Sequence, residues 1–323
     1  MQGDFFLTQG VFLGMRWLFE TLTGQSIVLT VVISTIIIRA LSLIGDIKSR
    51  ESSLKMSAIQ PQLDKLRKKF ENDPQRLQRE QSKLMKENGV SMFGGCLPML
   101  FTLPLFFIFI AAFRQWGSEM MVHLIVTLDD DPEAGVEMFK SFKFLWVNNM
   151  WQPDSGFASV INDAQTFLMD TKLPRLFYFR DHPEAMQKFL DLGFFVKDSS
   201  SKYGVAVAQL TDEITATYNS IVQPCIDLYA GYNNGWFVLP VVCGGSQFLA
   251  SWITTKSQPQ QDSSQGSMKL LMYLMPLITV FYCLRTNSAF ALYWTVSSVL
   301  SLVTTWLINK SFERKNKVSN KEG

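Results

Sequence analysis

One arginine interrupts the most apolar stretch of the chain. Residues 26–45 read SIVLTVVISTIIIRALSLIG, and Arg39 stands among them with no acidic residue nearer than Asp46. A charge at the centre of a bilayer costs about 3 kcal/mol on insertion scales, so it persists where water or a function supports it. Arg39 is therefore the first candidate for a functional residue. The alternative is snorkelling, in which the long side chain reaches the membrane surface.

Other polar side chains are spaced to face the same region. Thr35 and Ser42 stand four residues before and three residues after Arg39, which places all three on one face of a helix. A second polar stripe lies in the last apolar segment and consists of Trp294, Ser297 or Ser298, Ser301 and Thr305. Two further polar residues lie in other apolar segments: Gln247 in the third and Thr102 in the second. Facing one another, these residues would hold water inside the bilayer, although such stripes are also common as plain helix contacts.

Five apolar segments have the length needed to cross hydrocarbon. They are residues 26–45, 94–114, 236–255, 268–285 and 288–308. The prediction is therefore an all-α integral membrane protein with five transmembrane helices, a cytoplasmic helical hairpin and an enlarged exterior loop domain. The other predicted segments are an outer interfacial helix (1–25), the hairpin (46–92), the exterior segment (115–235), a cytoplasmic loop (256–267) and a basic tail (309–323). The second span with its entry covers residues 93–114.

The distribution of charge predicts the orientation of these spans. Residues 46–90 contain 11 Lys and Arg and the tail after Asn309 contains five, whereas residues 115–235 contain 8 basic and 16 acidic residues. The net charge of that segment is thus 8 − 16 = −8. The hairpin and tail are predicted to be cytoplasmic, with residues 115–235 and the N-terminus outside.

The hairpin follows from a heptad pattern and a cap. Apolar residues recur at steps of 3, 4, 3 and 4: Met56, Ile59, Leu63, Leu66 and Phe70. The pattern breaks before Asp73, which can cap a new helix with Pro74 at its first position. An antiparallel helical pair is therefore predicted.

A similar apolar stripe lies near the N-terminus and consists of Phe12, Met15, Leu18, Phe19 and Leu22, with Arg16 and Glu20 on the opposite side. It predicts an amphipathic helix at the outer interface or a plain linker helix.

The exterior segment and the remaining motifs carry weaker signals. Helical patterns appear at 183–190 and from Val205 to Tyr229, and aromatic residues at 177–179 and 194–195 suit a packed unit or a seat on the outer leaflet. His123 and His182 show no metal-ligand spacing, and no phosphate loop or catalytic triad is present. We expect no cofactor, no metal and no enzymatic activity.

Several motifs resemble the YidC/Oxa/Alb family of membrane protein insertases. They are Phe93-Gly94-Gly95-Cys96-Leu97-Pro98-Met99-Leu100, Leu103-Pro104-Leu105-Phe106, Asp73-Pro74-Gln75-Arg76-Leu77, Phe144-Leu145-Trp146-Val147-Asn148-Asn149, Met275-Pro276 and Ala291-Leu292-Tyr293-Trp294-Thr295. The chain departs from the family pattern at Ile44, at Ser91-Met92, at Thr102 and at Arg285. It also carries extra exterior sequence from about residue 154 to 235, whose role the sequence does not assign.

The resemblance implies an insertase and chaperone that moves nascent membrane proteins from the cytoplasm into the lipid bilayer through a hydrated, positively charged groove. Arg39 would attract acidic segments in this groove, without nucleotide hydrolysis. Further partners would be the secretory translocon and the ribosome, with no specific nucleic-acid sequence. The N-terminal sequence has no cleavable signal or transit peptide, which favours a bacterial plasma membrane. The alternative is a small-solute transporter or channel, against which stand the odd number of spans and the absence of an inverted repeat.

Overall fold

The computed structural model describes residues 6–89, 97–170, 172–256, 274 and 276–322, without the side chains of residues 49, 50, 53, 57, 97–103, 251, 254–256 and 313–322. The chain divides into two compact units. One comprises Met1–Val32, Ile108–Val241 and Val280–Tyr293, and the other comprises Ile33–Phe107, Val242–Thr279 and Trp294–Gly323. The motif at residues 93–96 and the loop at 257–267 lie outside the described residues.

Helix α1 (Phe6–Thr21) confirms the N-terminal amphipathic pattern in part. Phe12, Met15 and Leu18 are buried as predicted, whereas Leu22 is exposed because the helix has already ended at Thr21. Arg16 is bonded through Nε to Glu20 (2.7 Å) and through its guanidinium to Asp181 (2.9 Å). The face opposite the buried stripe therefore carries an ion-pair network to the exterior segment.

Helix α2 (Ile27–Lys69) continues without a break from the first apolar segment into the predicted hairpin. Its window Ile27–Lys48 is long and apolar enough to cross a membrane. The helix does not break between the span and the hairpin, because residues 46–60 contain neither proline nor glycine. Pro61 is accommodated within the helix.

Helix α3 (Pro74–Glu87) begins where the sequence predicted. The Asp73 side chain accepts a hydrogen bond from the backbone N–H of Arg76 at 3.0 Å, which satisfies a donor that the first helical turn cannot pair. Ile59, Leu63 and Met85 form a buried apolar cluster, with Met56 and Leu84 packed against it. Met56, Ile59 and Leu63 belong to the predicted heptad pattern, and they meet Leu84 and Met85 of α3.

Helix α4 (Leu97–Asp130) is longer than the predicted second span, which was to end at residue 114. It continues for another 16 residues to Asp130, past Arg114 and Glu119. The extra turns are stabilised by burial, since Trp116, Met121, Leu124 and Ile125 are all enclosed within the first unit. Charge alone therefore did not mark the end of this helix.

The rest of the exterior segment consists of short elements in the same unit. These are α5 (Pro132–Lys140), α6 (Ala164–Leu168), a 3₁₀ turn (Leu173–Arg175), α7 (Phe177–Asp181), α8 (Pro183–Asp191), β1 (Phe195–Lys197), β2 (Val205–Val207) and α9 (Asp212–Leu228). The two strands pair antiparallel, with Phe195 opposite Val207 and Lys197 opposite Val205.

The strands correct one sequence prediction. The described residues are mostly helical, which is consistent with an all-α membrane protein, but Val205 begins a strand rather than a helix. The β-branched pair Val205 and Val207 completes a hairpin with β1, and α9 begins only after Thr211, whose hydroxyl accepts from the Ile214 N–H at 3.2 Å. Tyr178, Phe179, Phe194 and Phe195 are buried, which supports the packed-unit interpretation of these aromatic residues.

The C-terminal part contributes three helical segments. They are α10 (Val238–Lys256), α11 (276–283) and α12 (Ser288–Glu322). Three windows among the described residues are long and apolar enough to cross a membrane: Ile27–Lys48, Pro104–Asp130 and Ser288–Phe312. A shorter apolar helix runs over Val238–Ala250. The prediction of five spans is therefore not confirmed: α10, at the third predicted span, is not among these windows, and most of residues 268–275 in the fourth lie outside the described residues.

Candidate functional site

The second unit brings Arg39 of α2 and a serine of α12 into contact. The Nε–H of Arg39 donates to the Ser297 hydroxyl at 2.9 Å. Ser297 is buried and Arg39 is half-buried, so the guanidinium lies at the edge of the packed helices. The ion pairs formed by the described residues do not include Arg39. Its charge is therefore held by a neutral hydroxyl.

A second polar contact lies one turn away on the same helix. The indole N–H of Trp294 donates to the Gln247 carboxamide oxygen at 3.0 Å, and the Ser298 hydroxyl donates to that same oxygen at 3.4 Å. Gln247 belongs to α10 and the other two residues to α12. A set of hydrogen bonds thus links α12 to α10 at Gln247 and to α2 at Arg39.

Trp294 is fixed on its other side by an aromatic contact. Its ring meets the ring of Phe106 edge to face, with centroids 4.7 Å apart. Such aromatic pairs contribute about 1 kcal/mol beyond the area that they bury. The Trp294 ring therefore has a defined orientation: it packs against Phe106 of α4, and its N–H donates to Gln247.

The remaining predicted site residues have different surroundings. Thr35 is completely buried, and the Ser42 hydroxyl donates within α2 to the carbonyl oxygens of Ile38 (3.0 Å) and Arg39 (3.1 Å). Ser301 is half-buried, one helical turn beyond Ser297, and its carbonyl accepts from the Thr304 hydroxyl at 3.0 Å. The side chain of Thr102 lies outside the described part of the chain.

Two polar atoms that the sequence did not single out are buried in the same unit. Ser34 Oγ and Asn309 Oδ1 have no hydrogen-bond partner among the described residues. A buried polar atom left unpaired costs about 1 to 3 kcal/mol, so such atoms favour ordered water. Ser34 has a weak sequence signal, since it stands beside the predicted site residue Thr35. Asn309 has none, because it stands at the end of the last apolar segment.

The chemistry available here is electrostatic. Among the described residues, no group of three or more His, Cys, Asp or Glu side chains is placed to hold a metal ion. His123 is exposed and His182 is partly exposed, with its ring nitrogen 3.1 Å from Glu184. The site can attract an anionic group and offer hydroxyl and amide hydrogen bonds.

These features define a multi-pass helical membrane protein that holds a cationic side chain between apolar helices. The chain belongs to the 60Kd inner membrane protein family, the YidC/Oxa1 family, whose model matches residues 18–316. Together with the three apolar windows, this membership makes it a multi-pass protein of a bacterial membrane.

Individual relatives agree with the family assignment. The chain is similar to the Membrane protein insertase YidC of Clostridium perfringens, with 32% identity over 150 residues, which is 46% of this chain and 55% of the relative. It is also similar to the Membrane protein insertase YidC of Treponema denticola, with 25% identity over 267 residues (83% of this chain and 31% of the relative). Membrane protein insertase YidC 1 of Listeria monocytogenes is 23% identical over 301 residues, 92% of this chain and 69% of that protein.

The chain covers 55% and 53% of the two Clostridium relatives and 31% of the Treponema relative. It therefore spans about half, or less, of the length of the first relatives that it matches.

Proposed function

We propose that this protein inserts nascent membrane proteins into the lipid bilayer without nucleotide hydrolysis. The observation that carries the proposal is the position of Arg39, half-buried in an apolar helix and bonded to the neutral Ser297 at 2.9 Å. Membership in the family and the names of the relatives support it. Within the described part of the chain Arg39 forms no ion pair, so its charge would be open to an incoming acidic segment.

The proposed groove is the polar surface around that contact. It would be lined by the predicted residues Thr35, Arg39, Ser42, Thr102, Gln247, Trp294 and Ser301, with Ser297 and Ser298 added. The buried Ser34 Oγ, on the same helix as Arg39, supports the presence of water, because it has no partner among the described residues. Water inside the groove would let a polar segment lose its hydration in stages.

Electrostatic attraction would then select the segment that crosses. Two opposite charges about 4 Å apart attract by about 4 kcal/mol at an effective dielectric constant near 20, against about 1 kcal/mol in bulk water. An acidic tail would therefore be drawn to Arg39 once both are partly dehydrated. Burial of the client's apolar segment in lipid, at about 25 cal/mol per Å², would supply the driving force.

We propose five spans with the N-terminus outside and the C-terminus in the cytoplasm. The asymmetry of Lys and Arg supports this orientation, since the hairpin is basic and residues 115–235 carry a net −8. The hairpin of α2 and α3 would project into the cytoplasm. Its exposed side carries Arg79, Lys83 and Lys86, which suits an acidic partner such as ribosomal RNA or a translocon loop.

The test is insertion of a small single-span client with an acidic outer tail into liposomes that contain this protein alone. We expect a protease-protected client fragment well above that in empty liposomes. Equal protection with several such clients would contradict autonomous insertion. Solute flux through the same liposomes, abolished by Arg39→Glu, would instead favour the transporter or channel.

A further inference from the structure

Two loops of the first unit are joined around one buried carboxylate. Asp154 is fully buried, and its oxygens accept from the backbone N–H groups of Trp236 (2.7 Å), Phe237 (3.1 Å) and Leu239 (2.6 Å). The indole N–H of Trp146 donates to the same carboxylate at 3.0 Å. Loop 144–158 is therefore fixed to loop 232–237 at the beginning of α10.

A pair of asparagines strengthens the same junction. Asn149 and Asn234 are both fully buried, and the Asn149 backbone N–H donates to the Asn234 side-chain oxygen at 2.7 Å. In return, the Asn234 amide nitrogen donates to the carbonyl oxygens of Asn149 and Pro153, each at 2.9 Å. Because these polar groups satisfy one another, the two loops form one rigid surface.

The outward face of this surface is apolar. Four large side chains project from it: Phe157 is 91% exposed, Trp236 74%, Tyr232 70% and Leu145 63%. The Phe157 ring contacts the ring of Phe237, with centroids 5.4 Å apart. Phe157 therefore lies beside the entry to α10 although it is 80 residues away in the chain.

The two loops themselves carry almost no charge. Asp154 is the one charged residue between positions 144 and 158, and it is buried, while residues 230–241 contain none. Leu145 also has a φ of 53°, a conformation that side chains other than glycine, asparagine and aspartate rarely adopt. The tight turn holds the Leu145 side chain outward instead of in the core. A strained backbone conformation of this kind is typical of positions where a side chain makes a functional contact.

We propose that Leu145, Phe157, Tyr232 and Trp236 form an interfacial anchor that lies in the boundary between lipid headgroups and acyl chains. Chain continuity identifies lipid as the partner. Trp236 stands two residues before α10, whose apolar part Val238–Ala250 presents Val241 outward with 65% of its surface exposed. The loop surface therefore meets the bilayer where this helix enters it, and Trp and Tyr favour that depth. This inference goes beyond the proposed function; it rests on the proposed entry of α10 into the bilayer and not on insertase activity.

The test measures how deeply single side chains lie in the membrane. An environment-sensitive fluorophore is attached to Phe157→Cys or Tyr232→Cys in the full chain, with Cys96→Ser to limit background, and the protein is placed in lipid nanodiscs. The other three cysteines are buried and stay in place. Ser199→Cys, on an exposed turn of the same unit, is the aqueous control, and Val241→Cys is the lipid-facing control.

We expect probes at positions 157 and 232 to be quenched several-fold more strongly by headgroup-labelled nitroxide lipid than the probe at 199, and less by aqueous iodide. Iodide quenching equal to that at 199, with no lipid quenching, would overturn the proposal. Protection from both quenchers would also overturn it, because the surface would then be covered by protein. Since no client is present, failure here leaves the insertion assay as an independent result.

Discussion

Arg39 and Ser297 stand 258 residues apart in the chain, yet the arginine Nε–H donates to the serine hydroxyl at 2.9 Å. The contact joins the first apolar helix to the last. It places the guanidinium at a defined depth, because Ser297 is itself buried on α12.

Replacing Ser297 should weaken insertion without abolishing it. Ser297→Ala removes a hydrogen bond to a charged group, which contributes about 1.5 to 3 kcal/mol when the group is buried. Arg39 is half-buried, so we expect a loss of a few-fold in the rate of client protection. Thr304→Ala is the matched control, since that hydroxyl donates within α12 to the Ser301 carbonyl oxygen instead. Equal losses in the two variants would show that the Arg39 contact has no particular role.

A hydrated groove should make Ser301 reactive when it is changed to cysteine. Maleimides react with the thiolate, which forms in water and not in hydrocarbon. We expect Ser301→Cys to be labelled from the cytoplasmic side in membranes. Val299→Cys, two residues earlier and 46% exposed on the apolar side of α12, should react much more slowly. Comparable labelling at both positions would argue against a water-filled groove.

The Asp154 carboxylate should be essential for stability. Asp154→Ala leaves the buried N–H groups of Trp236, Phe237 and Leu239 without their acceptor, and each unsatisfied group costs about 1 to 3 kcal/mol. We expect the thermal unfolding midpoint in detergent to fall by well over 5 °C, a shift of the size expected for a loss of about 2 kcal/mol or more. Asp163→Ala, which removes one exposed cap of a five-residue helix, should shift it far less. Similar shifts would contradict this structural role.

Cys225 should be unreactive in the folded protein. Its side chain is fully buried, and burial raises the pKa of the thiol to about 12. The thiolate is therefore scarce at pH 7 to 9 as well as inaccessible. We expect mass spectrometry to find Cys225 unmodified by maleimide at pH 7 until detergent unfolding exposes it. Rapid modification under native conditions would contradict this packing of α9.

Local sequence signals predicted the elements whose stabilising contacts are close in the chain. Asp73 caps α3 through a residue three positions away, and the spacing of Ile59 and Leu63 describes the face that packs near Met85. The apolar stretch around Arg39 likewise identified a membrane-length helix from composition alone. Such features depend on short-range spacing, which a single sequence contains.

Distant contacts were not predictable in this way. Asp154 carries no sequence signal of its structural role, because its partners at 236–239 lie more than 80 positions away. The strand at Val205 was mistaken for the start of a helix because its pairing partner, Phe195–Lys197, is required to stabilise it. The pairing of Arg39 with Ser297, out of several serines on one stripe, also depended on how two distant helices pack.

The most direct test compares Arg39→Gln with Arg39→Lys in the liposome insertion assay, using the single-span client with an acidic tail. Lysine keeps the positive charge and glutamine keeps hydrogen bonding without it. We predict near-complete loss of client protection with Arg39→Gln and substantial retention with Arg39→Lys, with both variants equally well folded. Full insertion by Arg39→Gln would contradict the claim that a positive charge at this position draws clients into the membrane.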